Sequence, residues 1–289
     1  KCGDDRKFSQ RQYEYLCACA YVPGEVSQEF FNYSHYTRAQ IAELSVEDWN
    51  ANYANPYYAM QLDGANLFDA SLAGVDFQWA YLRGAHLASA NLKRASLKHA
   101  HLLGANLDQA NLEGANLASS GLKEVQAPNA KLNGAKLFMT NCNQANFTRA
   151  EMRDTLQRHV RMQSTFLKKA DLEDAFLMQA QAQKCVATGA VLKNAVLEAA
   201  HFEKSKLWGC DLRNVNAKYV HVDDAILDRA NLSGSVFYGA HFSDGTVLSK
   251  SRRGAETHRR VNKETDFRGT AFEVTRIEPT LLGQLQYNC

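Results

Sequence analysis

The stretch GANLDQANLEGANL, Gly104 to Leu117, sets Leu107, Leu112 and Leu117 five residues apart, each after Ala-Asn. Five matches neither the 3.6-residue period of an α-helix nor the two-residue period of a strand. Stepped outward from Leu62, the register runs to Val247 without a slip, over 38 positions. Most centres are Leu, Phe, Met or Val; the six exceptions are Ala127, Cys142, Gln157, Ala182, Ala187 and Ala217. Two residues before each centre, from Ala65 to Gly245, stands Ala, Ser, Thr, Val, Cys or Gly. A register held this long is an internal repeat.

Each pentapeptide therefore points one large and one small residue inward and three outward. Ten of the twelve glycines between Leu62 and Val247 fall two residues after a centre. A turn that starts at the centre puts its third residue there, and a type II turn needs positive φ at that residue. Four such corners close a roughly square coil of 20 residues. Stacked coils then pair their backbones at the strand spacing of about 4.8 Å.

The segments ANLDQANLEGANL and DLEDAFLMQA resemble the pentapeptide repeat family, whose motif is Ala, then Asn or Asp, then Leu, then two variable residues. The resemblance implies an all-β solenoid, a right-handed quadrilateral β-helix over residues 61–247. Thirty-eight repeats at four per coil make about nine and a half coils, a rod of roughly 45 Å. Two places strain the pattern. Gln157 puts an amide where a hydrophobe belongs, which predicts a distortion or bulge. Ala182 and Ala187 are consecutive small centres and predict a thinner or bent wall.

Residues 1–60 lack the register. FSQRQYEYLCACA and YTRAQIAELSVEDW read as helices, the second interrupted at Ser45, which with Asp48 resembles a capping box. They predict an N-terminal α-helical cap over the first coil, whose edge and apolar side chains need cover. The dense aromatics, among them Phe30, Phe31, Tyr33, Tyr36 and Trp49, also fit a partner-binding module. After Val247 the pattern breaks at residues 248–264, a basic inserted loop carrying Lys250, Arg252, Arg253, Arg259, Arg260 and Lys263. It suits phosphate groups or an acidic protein surface, though such a charge run is also an ordinary solvated segment. The register resumes in phase at Phe267, Phe272 and Ile277, so residues 265–289 read as a final partial coil and short C-terminal cap.

Residues 20 apart share a face. One column reads Leu156, Phe176, Val196, Asn216, Val236, and beside it stand Phe138, Met178 and Tyr238. Apolar side chains at outward positions mark an interaction site, centred on Phe138, Leu156, Phe176, Met178 and Val196 and suited to another protein or a second copy. Another face stacks His201, His221 and His241, flanked by Glu203 and Asp223. That column suits pH sensing and is a weak candidate for a divalent metal. No metal or cofactor is otherwise expected.

No catalytic constellation emerges. Cys17 and Cys19 form only a CxC, and Asp171, Glu173 and Asp174 sit on outward turns without the desolvation that tunes a general acid. The seven cysteines are odd in number and lack disulfide-scaffold spacing. Cys142, Cys185 and Cys210 fall at inward positions, so a reducing compartment such as the cytoplasm or an organelle matrix is the simplest reading. No apolar run approaches the roughly 18 residues of a membrane span. YLCACAYV follows Asp4, Asp5 and Glu14 and does not read as a signal core. The start at Lys1 leaves a removed targeting peptide open.

These features point to a non-enzymatic protein–protein interaction scaffold, a candidate structural subunit of a larger assembly. The resemblance also implies alternatives. Some family members mimic duplex DNA and bind type II topoisomerases, and others are secreted effectors that use the rod for targeting. Mimicry needs negative potential, yet 20 Lys and Arg face 18 Asp and Glu between Leu62 and Val247. The whole chain has a net charge of +2, so mimicry is disfavoured and direct nucleic-acid binding is not expected.

Overall fold

Every pentapeptide except the one that holds Pro128 brings five backbone N–H groups, and the fold is the arrangement that finds partners for them. In a computed structural model that describes residues 61–243, Thr246 and the backbone of Arg276–Ile277, residues 107–111 illustrate the scheme. Leu107 N–H donates to the Gln126 carbonyl at 2.6 Å and Gln109 N–H to Pro128 at 3.0 Å, both in the next coil. Asn111 N–H donates to Ala90 in the preceding coil at 2.9 Å, while Ala110 N–H closes the turn on Leu107 at 3.0 Å. The fifth donor, Asp108 N–H, is taken by the side-chain Oδ1 of Asn106 at 3.0 Å. Asn111 serves Glu113 at 3.1 Å and Asn116 serves Ala118 at 3.2 Å in the same way. The Asn before Leu thus has a structural role, satisfying the one N–H that the coils leave over.

Between Gln61 and His241 the bridges are all parallel and all join a residue to the one 20 positions on, from Gln61↔Tyr81 to His221↔His241. They form four ladders, one per side of a 20-residue coil, with a single bridging residue per side. The core follows from this geometry. Leu107, Leu112 and Leu117, with Ala105, Ala110 and Ala115, are buried in one continuous cluster with their counterparts along the rod. Inward hydroxyls are accommodated because each donates to a backbone carbonyl: Thr140 to Leu117 at 2.7 Å, Thr165 to Cys142 at 2.8 Å, Ser205 to Ala182 at 2.8 Å. The small centre Ala217 borders a void of about 10 Å³ whose lining is wholly apolar and so offers a water molecule no polar partner.

The corners extend what the glycines imply. The third turn residue has φ between 53° and 72° throughout, at ten glycines and at 26 other residues among those described. Left-handed backbone costs a non-glycine residue about 1–2 kcal/mol. The coil imposes it regardless, because each corner is flanked by two buried side chains and held by inter-coil hydrogen bonds. Glycine is a preference at these corners, not a requirement.

The distortion expected at Gln157 is absent. Lys136↔Leu156 and Leu156↔Phe176 pair on schedule, and Gln157 N–H reaches the Phe176 carbonyl at 2.8 Å. The amide is fully buried and donates from Nε2 to Thr155 Oγ1 at 2.6 Å. Thr155 Oγ1 passes its own proton to the Met152 carbonyl at 2.7 Å. Gln157 Oε1 is left without a partner among the described residues, so the expected penalty is present without a bulge. The ladders also continue unbroken past Ala182 and Ala187, through Gln181↔His201 and Val186↔Lys206. The expected bend has no counterpart in the pairing.

At the far end, β1 (His241–Phe242) pairs in parallel with β2 (Arg276–Ile277), His241 opposite Arg276 and Phe242 opposite Ile277. Arg276 keeps the five-residue phase but lies 35 positions on from His241 rather than 20. The expected helices of residues 1–60, the sixty-residue cap they would form, the basic loop and the remaining C-terminal residues lie outside the described residues. No helix among the described residues is long and apolar enough to cross a membrane.

Two outcomes are expected. Gln157→Leu removes the orphaned Oε1 and stabilises the rod by about 1–2 kcal/mol, seen as a thermal midpoint raised by a few degrees; a lowered midpoint contradicts this packing. Cys142, Cys185 and Cys210 are buried free thiols, pushed up by desolvation to about 12, about 11 and about 12 respectively. Iodoacetamide at about pH 8 should spare all three in the native protein and alkylate them in guanidinium. Labelling of any of the three in the native protein contradicts their burial.

Candidate functional site

Outward side chains of the ladder residues line up 20 positions apart, so each face reads as a column. On one face Lys136 pairs with Leu156, Leu156 with Phe176, and Phe176 with Val196. Phe138, Leu156 and Phe176 are 41%, 43% and 44% exposed, and Met178 and Val196 are half-buried. The column beside them changes size abruptly: Ala118 and Ser119 occupy one coil, Phe138 and Met139 the next. The step leaves a groove of about 790 Å³, lined by Phe138, Leu156, Phe176 and Met178 along with Ala118 and Ser119.

Lys98, Lys136 and Arg158 also line this groove, and no carboxylate does. None of the three pairs with a carboxylate among the described residues. His99 in the groove is held below its ordinary value, first by desolvation and then by the Lys98 charge. The edge of His159 packs against Phe138, with centroids 6.1 Å apart at 73°. Val196 continues the ladder but lies beyond the groove. Sequence reasoning found the apolar residues and missed the cations and the small residues, though Lys98, Ala118 and Arg158 stand in the column of Phe138 and Lys136 in that of Leu156.

The adjoining face behaves differently. Lys93 pairs with Glu113 at 2.8 Å, Arg153 with Asp171 at 2.6 Å and Glu173 at 3.3 Å, and Lys193 with Glu173 at 2.8 Å. The hydrogen bond from Lys193 holds the Glu173 carboxyl below the usual range, and Arg213 does the same for Asp211. Asp174 accepts from Asn194 Nδ2 at 3.0 Å. Glu173 and Asp211 are thus paired with cations and kept ionised, the reverse of what a general acid requires.

On the face of Gln61 and Tyr81 the histidine column is brought together as expected. His201 stacks on His221 with centroids 4.5 Å apart and His221 on His241 at 4.3 Å, the planes 9° and 13° from parallel. His201 Nδ1 lies 2.8 Å from Glu203 Oε1, and His221 Nδ1 lies 3.9 Å from Asp223 Oδ2. His221 is held below its ordinary value by desolvation and then by its two imidazole neighbours. Lys250, Arg252, Arg253, Arg259, Arg260 and Lys263 lie outside the described residues.

A family model for pentapeptide repeats, in eight copies, matches residues 61–98, 90–125, 183–216, 195–234 and 218–246. The chain belongs to the pentapeptide repeat family. The fold of that family is a right-handed β-helix solenoid. Solved pentapeptide repeat proteins resemble the chain. HetL of the cyanobacterium Nostoc sp. strain PCC 7120, involved in heterocyst differentiation regulation, is 26% identical over 65% of this chain and 85% of its own, with a TM-score of 0.40. A pentapeptide repeat protein of the Arabidopsis thaliana thylakoid lumen is 34% identical over 33% of this chain and 67% of its own, with a TM-score of 0.33. QnrB1, a plasmid-mediated fluoroquinolone resistance protein, is 13% identical over 78% of this chain and 86% of its own, with a TM-score of 0.44. No curated protein matches the chain.

The pentapeptide repeat matches leave out residues 126–182. The ladders cross that interval without a break, so the coil is kept between the matched stretches. Phe138, Leu156, Phe176 and Met178 all fall inside it.

Proposed function

We propose that this pentapeptide repeat protein is a non-enzymatic interaction scaffold, whose groove docks an acidic amphipathic segment of another protein. The observation that carries this reading is the combination in one concavity of four apolar side chains with Lys98, Lys136 and Arg158, unopposed by any carboxylate. Apolar contact supplies the driving force, and complementary charge selects an acidic segment over a neutral or basic one. A second copy of the chain fits less well, because the carboxylates of the adjoining face are already paired with Lys and Arg. The same pairing opposes DNA mimicry, which needs a face of unneutralised acids. In this reading residues 1–60 form the helical cap, residues 265–289 close the other end, and the rod serves as one subunit of a larger assembly.

A synthetic peptide of leucines and glutamates with an amphipathic pattern tests the docking, beside a version with lysine for glutamate. Fluorescence anisotropy should show the acidic peptide binding at least about tenfold more tightly than the basic one. Phe176→Glu should abolish the difference while far-UV circular dichroism stays unchanged. A photo-crosslinking residue at Met178, used in lysate of the source cells, should join the groove to an acidic segment of a different protein. Equal binding of the two peptides, crosslinking to the chain itself, or no crosslink at all overturns the proposal.

A further inference from the structure

One cluster away from the groove has donor atoms suited to a different ligand. Two imidazoles and a carboxylate, from His201, His221 and Glu203, offer ligand atoms that lie within 4.8 Å of one another. Bridges at Gln181↔His201, His201↔His221 and His221↔His241 fix their backbones, so the rod pre-organises them before any ligand arrives. Glu203 uses one oxygen for His201. Its other oxygen, Oε2, is buried without a hydrogen-bond partner among the described residues. A buried, unpartnered carboxylate oxygen is costly, and no Lys or Arg among the described residues pairs with Glu203 or with Asp223. Among the described residues the ion pair of each carboxylate is with an imidazole.

We propose that His201, His221 and Glu203 form a binding site for a divalent transition metal of the Zn²⁺ class. Two ring nitrogens and a carboxylate oxygen are the donor set such ions prefer, whereas Ca²⁺ and Mg²⁺ take oxygen alone. Bonds of about 2.0–2.1 Å draw the three donors closer than they now stand, a movement within reach of side-chain torsions at half-exposed positions. Asp223 lies beside His221 as the next donor, and His241 packs on the outer face of His221 and holds its ring. The half-exposed side leaves a coordination position open to water.

Isothermal titration of the tag-free, full-length chain with Zn²⁺ alone tests the site, with Co²⁺ absorption reporting the ligand field. The wild type should bind at least one equivalent that both Glu203→Gln and His221→Asn remove or weaken by about tenfold or more. His86→Asn, on another face, should retain every equivalent, and Ca²⁺ and Mg²⁺ should give no heat. Glu203→Gln is near-isosteric and keeps the test valid where the histidine variant fails to fold. Absence of Zn²⁺ binding, or binding unchanged in Glu203→Gln, overturns the proposal.

Discussion

Hydrogen bonds between coils tie one bridging residue on every side to the residue 20 positions on, and the other features of this rod follow from that tie. It fixes two residues of every five as interior and three as exterior. It forces left-handed corners on residues such as Trp79, Met139 and Tyr219, which have no intrinsic preference for them. It also gives Asn106 and its equivalents their role, since the coils use four donors of each pentapeptide and leave a fifth. A repeat of this kind behaves nearly as a one-dimensional stack, in which each coil contacts only its neighbours. Local substitutions are therefore absorbed locally, as Gln157 is by Thr155.

The same tie converts sequence distance into surface design. A side chain's exterior neighbours are those 20 positions away, so a site requires the same kind of residue in successive coils. The groove meets that condition with Leu156 and Phe176 on one ladder, and beside it Phe138 and Met178 stand on either side of Arg158. The imidazole site meets it with His201 and His221. The adjoining face meets it with alternating charges, as in Arg153, Glu173 and Lys193, which produces neutrality instead of a site. The rod acts as a ruler on which each column is written independently.

Much of this was legible in the sequence because the period is invariant. The five-residue register identified the interior residues, the 20-residue coil and the columns of Phe176 and His221. What stayed hidden depends on which neighbour a side chain turns toward. Periodicity marks Gln157 as a misfit but does not reveal that Thr155 accepts its amide proton. The groove owes its depth to the small Ala118 and Ser119, and residues notable for what they lack give no apolar signal. Lys98, Lys136 and Arg158 look like solvated charges until the lining of the groove is seen to hold no acid. Glu203 became informative only through the burial of one oxygen. The ends of the chain, by contrast, carry no register, so composition supported only expectations about them.

The central claim is that the groove is assembled across coils by the 20-residue tie, and a shift of register tests it most directly. Deleting residues 141–145 removes one repeat and turns all later coils by one side. Leu156, Phe176 and Met178 then leave the face of Lys98, Lys136 and Phe138. Deleting residues 206–210 applies the same change beyond the groove. With both variants folded by circular dichroism, the account predicts that the first loses the acidic leucine–glutamate peptide by about tenfold or more and the second binds it as the intact chain does. Undiminished binding by the 141–145 deletion would contradict the account.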